Sequence, residues 1–121
     1  MKLDEVVRRL VLDVCAGSER LDRTVTGGYA CDLLSYVMAR AKEGNLWITV
    51  QGHPNIVAVA SLVGLAGVIV TEGAKVDRAT IEKANQEGVP IMTTPHTTFA
   101  IACRLCELGV REANSGQASA A

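Results

Sequence analysis

The sequence predicts a single α/β domain of three-layer type, with a mainly parallel sheet built from strand-turn-helix repeats. Three consecutive units share one order, in which an apolar strand pattern leads through a polar turn into a helix pattern. A glycine also stands near the end of each of the four later helix patterns. Strands that alternate with helices are joined by right-handed crossovers, which make neighbouring strands parallel and cover the sheet with helices.

The first elements of the chain are a helix and two strands. Apolar residues recur on one side of residues 2–12, which predicts a helix. Residues 11–16 then predict a short strand, and residues 23–31, rich in Thr, Val and Tyr, predict a second one that passes through Gly27 and Gly28. Asp32 is a candidate N-cap for the helix that follows, which ends before Gly44.

The three repeated units follow. Their strands are predicted at residues 46–50, 67–71 and 89–93, and their helices begin at Pro54, at Asp77 and at Thr97 or Thr98. Gly64, Gly88 and Gly109 stand near the ends of these helices, where a residue often has positive φ.

Two of the helices predict self-association. The helix at residues 56–63 carries no charge, and a helix that is apolar all round is normally buried on all sides. A domain of this size has difficulty burying it completely, so we expect a homodimer surface there, at the broadly apolar helix of residues 99–108, or at both. The same apolar faces also fit docking on a partner enzyme. The helix at residues 76–87 is amphipathic and is expected to meet water.

Length and charge restrict the classes of protein. The 121 residues fit one domain, which we place at residues 1–111, with a disordered tail of small and polar residues at 112–121. A net charge of −1 and 3% aromatic residues argue against nucleic-acid binding. The apolar segments are too short to span a membrane, so we expect a cytoplasmic protein that does not contact membranes.

The four cysteines are expected to be reduced. Cys103 and Cys106 lie in a helix pattern, so their thiols would share one face, and we expect core packing for them rather than a redox pair. A zinc site formed with the histidines is the alternative, but we expect no metal and no cofactor.

A ligand site is predicted where the parallel strands end, because open α/β sheets bind ligands outside the carboxyl ends of their strands. Three turns meet there and offer amides, hydroxyls, imidazoles and one carboxylate. Helix N-termini add free N–H groups that favour anions, so a nucleotide or another phosphate-bearing molecule is a plausible ligand. The alternative is that these residues only cap helices and line loops. The candidate residues are Gln51, His53, Asn55, Thr71, Glu72, Gly73, Thr94, His96, Thr97 and Thr98.

The run from Asp22 to Gly28 adds further candidates. Gly27 and Gly28 either let the backbone approach a ligand or a partner chain, or permit a bulge or bend, and we favour the structural role. Asp22 and Arg23 either contact a ligand or a second copy, or form a surface ion pair.

Catalytic motifs are missing. The sequence has no phosphate-binding loop of the Gly-x-x-x-x-Gly-Lys-Ser/Thr type, no Gly-x-Gly-x-x-Gly and no His-Glu-x-x-His. The one candidate catalytic set is Glu72 with His53 and His96, which would make the chain a small phosphoryl-transfer enzyme. We expect a protein that is not an enzyme.

Residues 21–109 resemble the DRTGG domain family. The resemblance rests on Asp22-Arg23-Thr24, on Thr26-Gly27-Gly28-Tyr29 and on His53-x-Asn55-Ile56. It also includes Asp32-Leu33-Leu34-Ser35, Asn45-Leu46-Trp47-Ile48-Thr49 and Gly88-Val89-Pro90-Ile91. In this chain Val25 and Thr26 separate the Asp-Arg-Thr and Gly-Gly parts of the motif.

The resemblance implies a fold and a role. Domains of this family resemble the amino-terminal domain of HPr kinase, and they also occur beside CBS domains in regulated pyrophosphatases and within long phosphotransacetylases. It therefore implies an α/β fold, frequent dimerisation and a regulatory role. In HPr kinase the phosphate-binding loop lies in another domain, so the resemblance does not imply kinase activity.

Overall fold

Five strands form one sheet in the computed structural model, which describes residues 1–112. Across the sheet the strand order is β1-β5-β4-β3-β2, so β1 and β2 are the edge strands. Strands β2 to β5 are parallel, and β1 alone is antiparallel to its neighbour. The strands are β1 Asp13–Ala16, β2 Gly27–Ala30, β3 Asn45–Thr49, β4 Gly67–Val70 and β5 Ile91–Thr93.

Helices cover both faces of the sheet, which gives the predicted three layers. The helices are α1 Leu3–Leu10, α2 Leu34–Arg40, α3 Asn55–Val63, α4 Arg78–Glu87 and α5 Thr98–Glu107. Buried residues of α2, α3 and α4 form one hydrophobic cluster with one face of the sheet, and those of α1 and α5 form a second cluster with the other face. The predicted α/β fold is confirmed.

The central strands carry the core. Every residue of β3 and β4 is buried, including Asn45 and Thr49. Trp47, in β3, is completely buried, and its Nε1 donates to the carbonyl of Cys31 at 2.7 Å. Strands that are buried on both faces lose the alternation of apolar and polar residues, which explains their continuous apolar sequences.

The glycines near the helix ends behave as predicted. Gly44, Gly64, Gly88 and Gly109 all have positive φ. Two other local predictions were wrong. The first helix was expected to extend to residue 12, but α1 ends at Leu10, and Val11 has φ 54° and is 85% exposed. Asp32 does not cap α2, whose N-cap residue is Leu33.

Helix α3 is not buried on all sides. It packs between α2 and α4, so that Ile56, Val57 and Val59 are buried while Leu62 is 74% exposed. The Ser61 hydroxyl donates to Glu87 Oε1 on α4 at 2.8 Å. The flanking helices therefore cover most of the apolar surface for which the sequence predicted a second copy.

Candidate functional site

The turns that follow strands β2 to β5 meet at one end of the sheet, which we call the carboxyl end. The antiparallel strand β1 begins there, since Asp13 lies opposite Thr93. All the candidate turn residues from Gln51 to Thr98 lie at this end, as the sequence predicted. Four helices begin there, α2 after β2 and α3, α4 and α5 after the three predicted turns.

Asp32 joins the turns after β2 and β3. Its Oδ1 accepts a hydrogen bond from the Thr49 hydroxyl at 2.7 Å and another from the Val50 amide at 2.9 Å. The Gln51 side-chain amide donates to the Asp32 carbonyl at 2.9 Å. Bonds to a carboxylate are among the stronger hydrogen bonds in proteins, so this contact fixes the two turns relative to each other.

Three residues join the turns after β4 and β5. The hydroxyls of Thr71 and Thr98 are 2.6 Å apart, and the Glu72 carboxylate accepts from the Thr98 amide at 2.9 Å. The amides of Glu72 and Gly73 donate to the carbonyls of His96 and Thr94 at 2.8 and 3.0 Å. Thr71, Thr98 and Glu72 therefore have structural partners already.

The turn from Thr71 to Ala74 places Glu72 in an unfavourable conformation. The Ala74 amide donates to the Thr71 carbonyl, and both central residues have positive φ, 65° for Glu72 and 66° for Gly73. A non-glycine residue in this region costs about 1 kcal/mol or more. The hydrogen bonds from Glu72 to the turn after β5 hold it there.

Gly52 permits close contact between the turns after β3 and β4. A Cβ atom at this position would lie 1.9 Å from the Lys75 carbonyl oxygen and 2.9 Å from its carbon. The Gly52 carbonyl accepts from the Thr80 hydroxyl at 2.7 Å and from the Asp77 amide at 3.1 Å. Only glycine fits here, and no local pattern in the chain indicated this steric requirement.

The N-termini of α3, α4 and α5 differ in what already occupies them. The Thr97 hydroxyl accepts from the Ala100 amide, so α5 is capped by Thr97 as well as by Glu72. Asp77 is the N-cap residue of α4 and brings a negative charge there. Helix α3 has no acidic residue in its first turn.

His53 lies two residues before Asn55, the first residue of α3. Its Nδ1 accepts a hydrogen bond from the Asn55 amide at 3.2 Å, and the imidazole is exposed. In the neutral ring the proton therefore lies on Nε2, which can donate to a ligand. Within residues 1–112 the side chains of Asn55 and His96 make no hydrogen bond to protein. These groups remain available for binding.

A cleft of about 260 Å³ lies at the β1 side of the carboxyl end. Asp13 and Thr94 line it together with Gly73. The Thr94 hydroxyl accepts from the His96 amide at 3.3 Å. Ala74, Thr93 and Pro95 complete its lining.

Asp22 and Arg23 lie at the opposite end of the sheet, which we call the amino end. Residues 17–26 cross this end from β1 to β2, and Arg23 lines an open cleft of about 380 Å³ with Glu43. Asp22 and Arg23 form no ion pair with each other, and the salt bridge found in residues 1–112 joins Arg9 to Glu5. The structure therefore does not bring the motif residues to the predicted turns.

The glycine pair forms no bulge. The register from Gly27↔Asn45 to Ala30↔Ile48 is regular, so the pair does not form a bulge, which was one of the two structural alternatives. Instead, the Gly28 amide donates to the Arg111 carbonyl at 2.8 Å, so the chain itself approaches the strand.

The cysteines differ from the prediction. Cys103 and Cys106 are exposed on α5 and do not pack in the core, because Ile101 and Leu105 take the buried positions of that helix. Burial raises the pKa of the Cys15 thiol, although a backbone hydrogen bond opposes the shift. No group of three or more His, Cys, Asp or Glu side chains in residues 1–112 is arranged to hold a metal.

Residues 5–108 match the DRTGG domain family. The chain is a member of this family. The regulatory region of Clostridium perfringens pyrophosphatase, comprising CBS and DRTGG domains complexed with the activator diadenosine tetraphosphate, has a similar structure. Its TM-score is 0.67 at 21% identity, and the match covers 84% of this chain and 44% of that one.

No curated protein matches this DRTGG chain in sequence. Among the helices of residues 1–112, none is long and apolar enough to cross a membrane.

Proposed function

We propose that this DRTGG domain is a non-catalytic regulatory domain that senses a phosphate-bearing metabolite, such as a nucleotide, at the carboxyl end of its sheet. The observation that carries the proposal is the set of three helix N-termini directed at one pre-ordered group of turns. The complex of the similar pyrophosphatase region with diadenosine tetraphosphate supports a nucleotide ligand.

The phosphate is expected at the N-terminus of α3. The other two helix N-termini have carboxylates beside them, Glu72 at α5 and Asp77 at α4, and these repel a second anion. At α3 the exposed Nε2 of His53 and the side-chain amide of Asn55 can donate to phosphate oxygens.

A regulatory role is favoured over a phosphoryl-transfer enzyme by the position of Glu72. Its carboxylate accepts from the Thr98 amide at the start of α5, where it stabilises the helix. In the candidate catalytic set of Glu72, His53 and His96, no hydrogen bond within residues 1–112 joins the carboxylate to either imidazole.

The homodimer in this proposal forms through α5. Phe99 is 79% exposed, and Cys103, four residues further on the same side of the helix, is exposed too. Leu62 on α3 is exposed on the other face of the sheet, beside polar Ser61. Free, exposed cysteines suit a reducing compartment, so the proposal includes the cytoplasm.

A thermal-shift panel of adenine and guanine nucleotides, diadenosine tetraphosphate, acyl phosphates and phosphosugars tests the ligand. A ligand at about 100 times its dissociation constant stabilises the fold by about 2.7 kcal/mol. We expect His53→Ala to remove the shift and Arg23→Ala, at the amino end, to retain it. The reverse pattern would move the site to the motif cleft.

The alternative is an adaptor that docks on a partner enzyme and binds no small molecule. The exposed Phe99 favours it. No shift across the whole panel, with a partner retained on the wild-type chain and lost from Phe99→Asp, would establish this alternative.

For the homodimer, light scattering should show a dimer that Phe99→Asp converts to a monomer and Leu62→Asp leaves intact.

A further inference from the structure

The outer edge of strand β2 has unused hydrogen-bonding groups. The Cys31 amide donates to the Ile48 carbonyl of β3, and alternate residues of a strand direct their peptide groups to opposite sides. Gly28 and Ala30 therefore direct theirs outward. The Gly28 amide bonds to Arg111, whereas within residues 1–112 no backbone group pairs with the N–H or C=O of Ala30.

The other edge strand of the sheet is protected. The pairing of β1 with β5 is irregular between Val14 and Ala16, and Asp13 puts a charge at the start of the strand. The Asn85 side chain of α4 also accepts from the Gly17 amide directly after β1. Irregular pairing, charge and coverage are the usual means of blocking an edge strand. Strand β2 has regular pairing and neither a charged residue nor proline.

Two clefts flank the outer edge of β2, one on each face of the sheet. On the α5 side, a cleft of about 140 Å³ is mainly apolar, and its walls include Ile48, Leu105 and Val110. On the α2 side, a cleft of about 330 Å³ has Arg40 and Lys42 in its walls. Glu112 lines both clefts, so the α2 side has two cations and one carboxylate.

We propose that the outer edge of β2 binds an extended peptide segment of a partner protein in which apolar and acidic side chains alternate. Such a segment adds a strand to the sheet through the peptide group of Ala30. Its alternate side chains point to opposite faces, so apolar ones enter the α5-side cleft and acidic ones face Arg40 and Lys42. A second copy of this chain fits less well, because it would bring its own Arg40 and Lys42 to the same place.

Peptide titration tests this proposal separately from the proposed ligand, because the clefts share no residue with the turns at the carboxyl end. The probes are a fluorescein-labelled peptide of alternating valine and glutamate and its counterpart with lysine in place of glutamate. Fluorescence anisotropy with the full chain should show roughly tenfold tighter binding of the glutamate peptide, as expected for two exposed charge pairs. Amide exchange at Ala30 should be fast in the free chain and slow with the peptide bound.

Matched variants locate the binding. Ala30→Pro removes the outward N–H in a position where an edge strand tolerates proline, and should abolish binding, whereas Ala30→Val keeps the N–H and should retain it. Arg40→Glu with Lys42→Glu should reverse the preference between the two peptides. Lys75→Glu with Arg78→Glu changes the net charge equally and should leave the preference unchanged.

Three results would overturn the proposal. The first is equal binding of the two peptides, or none at millimolar concentration. The second is an Ala30 amide already protected in the free chain, which would show that a second copy or the chain itself covers the edge. The third is loss of the preference with the Lys75 and Arg78 pair of substitutions, which would indicate attraction by net charge alone.

Discussion

At the amino end of the sheet the loops are joined mainly through backbone atoms, whereas at the carboxyl end they are joined mainly through side chains. The amides of Leu3, Val25 and Thr26 donate to carbonyls of Arg23, Met1 and Gly44 at 2.8 to 3.0 Å. At the carboxyl end, the side chains of Asp32, Thr71 and Glu72 make the corresponding contacts.

This difference bears on the meaning of the family motif. Its first residues, Asp22 and Arg23, lie in the segment that crosses the amino end, where the backbone carbonyl of Arg23 supports the start of α1. The C-termini of α2 to α5 lie at this end, and helix C-termini disfavour anions. The N-terminus of α1 also lies here, but Asp4 and Glu5 occupy its first turn. The motif residues Asp22 and Arg23 therefore lie at the opposite end of the sheet from the proposed anion site.

We expect the greatest loss of stability from a substitution at the amino end of the sheet. In Gly17→Ala the new Cβ would lie 2.4 Å from the Val89 carbonyl oxygen, at a residue with φ +69°. We expect a loss of about 3 kcal/mol from the clash and about 1 kcal/mol from the conformation. Gly109→Ala is the control, since its φ is +93° but no atom lies within 4 Å, and it should lose only about 1 kcal/mol. Urea unfolding measures both, and equal losses would refute the steric explanation.

A substitution at the carboxyl end of the sheet should give the second-greatest loss of stability. Gly52→Ala should cost about 3 kcal/mol, because the turns after β3 and β4 must separate. Gly73→Ala at the same end has open space around it and should cost about 1 kcal/mol. Urea unfolding gives the stabilities, and the ligand found in the panel should bind Gly73→Ala normally and Gly52→Ala weakly. Unchanged affinity in Gly52→Ala would place the ligand elsewhere.

Two substitutions at Glu72 have smaller effects on stability, and comparing them separates the cost of its backbone conformation from the contribution of its charge. Glu72→Ala removes the carboxylate from the Thr98 amide and keeps the positive φ, so we expect a loss of about 1 kcal/mol. Glu72→Gly also removes the carboxylate but relieves about 1 kcal/mol of strain, and should be nearly neutral. Thermal unfolding of the two variants should therefore differ, and identical melting temperatures would show that the turn is not strained.

The smallest effect concerns thiol reactivity. Burial raises the pKa of the Cys15 thiol and restricts access to it, whereas Cys103 and Cys106 are exposed. Mass spectrometry after brief iodoacetamide treatment at pH 7.5 should find Cys103 and Cys106 modified first. Early modification of Cys15 would contradict its burial.

The raised pKa of Cys15 also makes the free energy of unfolding depend on pH. Because this pKa is higher in the folded state than in the unfolded state, the stabilisation from the neutral thiol is present below the unfolded-state pKa and is lost as the pH rises through the folded-state pKa.

The residue pattern determined the layers and the position of the predicted turns. Continuous apolar strands, polar turns and terminal glycines are local signals, and each was sufficient to place an element within a few residues. The DRTGG resemblance was equally local, since it rests on short runs such as Asp32-Leu33-Leu34-Ser35, and the family match confirmed it.

Other features depended on contacts between residues far apart in the chain. Asp32 resembles a helix cap in sequence, but 17 residues separate it from Thr49, to which it bonds. The need for glycine at position 52 arises from Lys75, and the exposure of Cys103 arises from which side of α5 meets the sheet.

The sequence by itself determined the α/β class, the parallel repeats and the family, because periodicity and turn chemistry act over a few neighbouring residues. The tertiary structure alone decided that the motif and the polar turns lie at opposite ends of the sheet. It also decided that Glu72 already occupies the start of α5 and that, within residues 1–112, the outward peptide group of Ala30 on β2 has no backbone partner. These properties depend on strand order, which brings distant segments together and which no local pattern encodes.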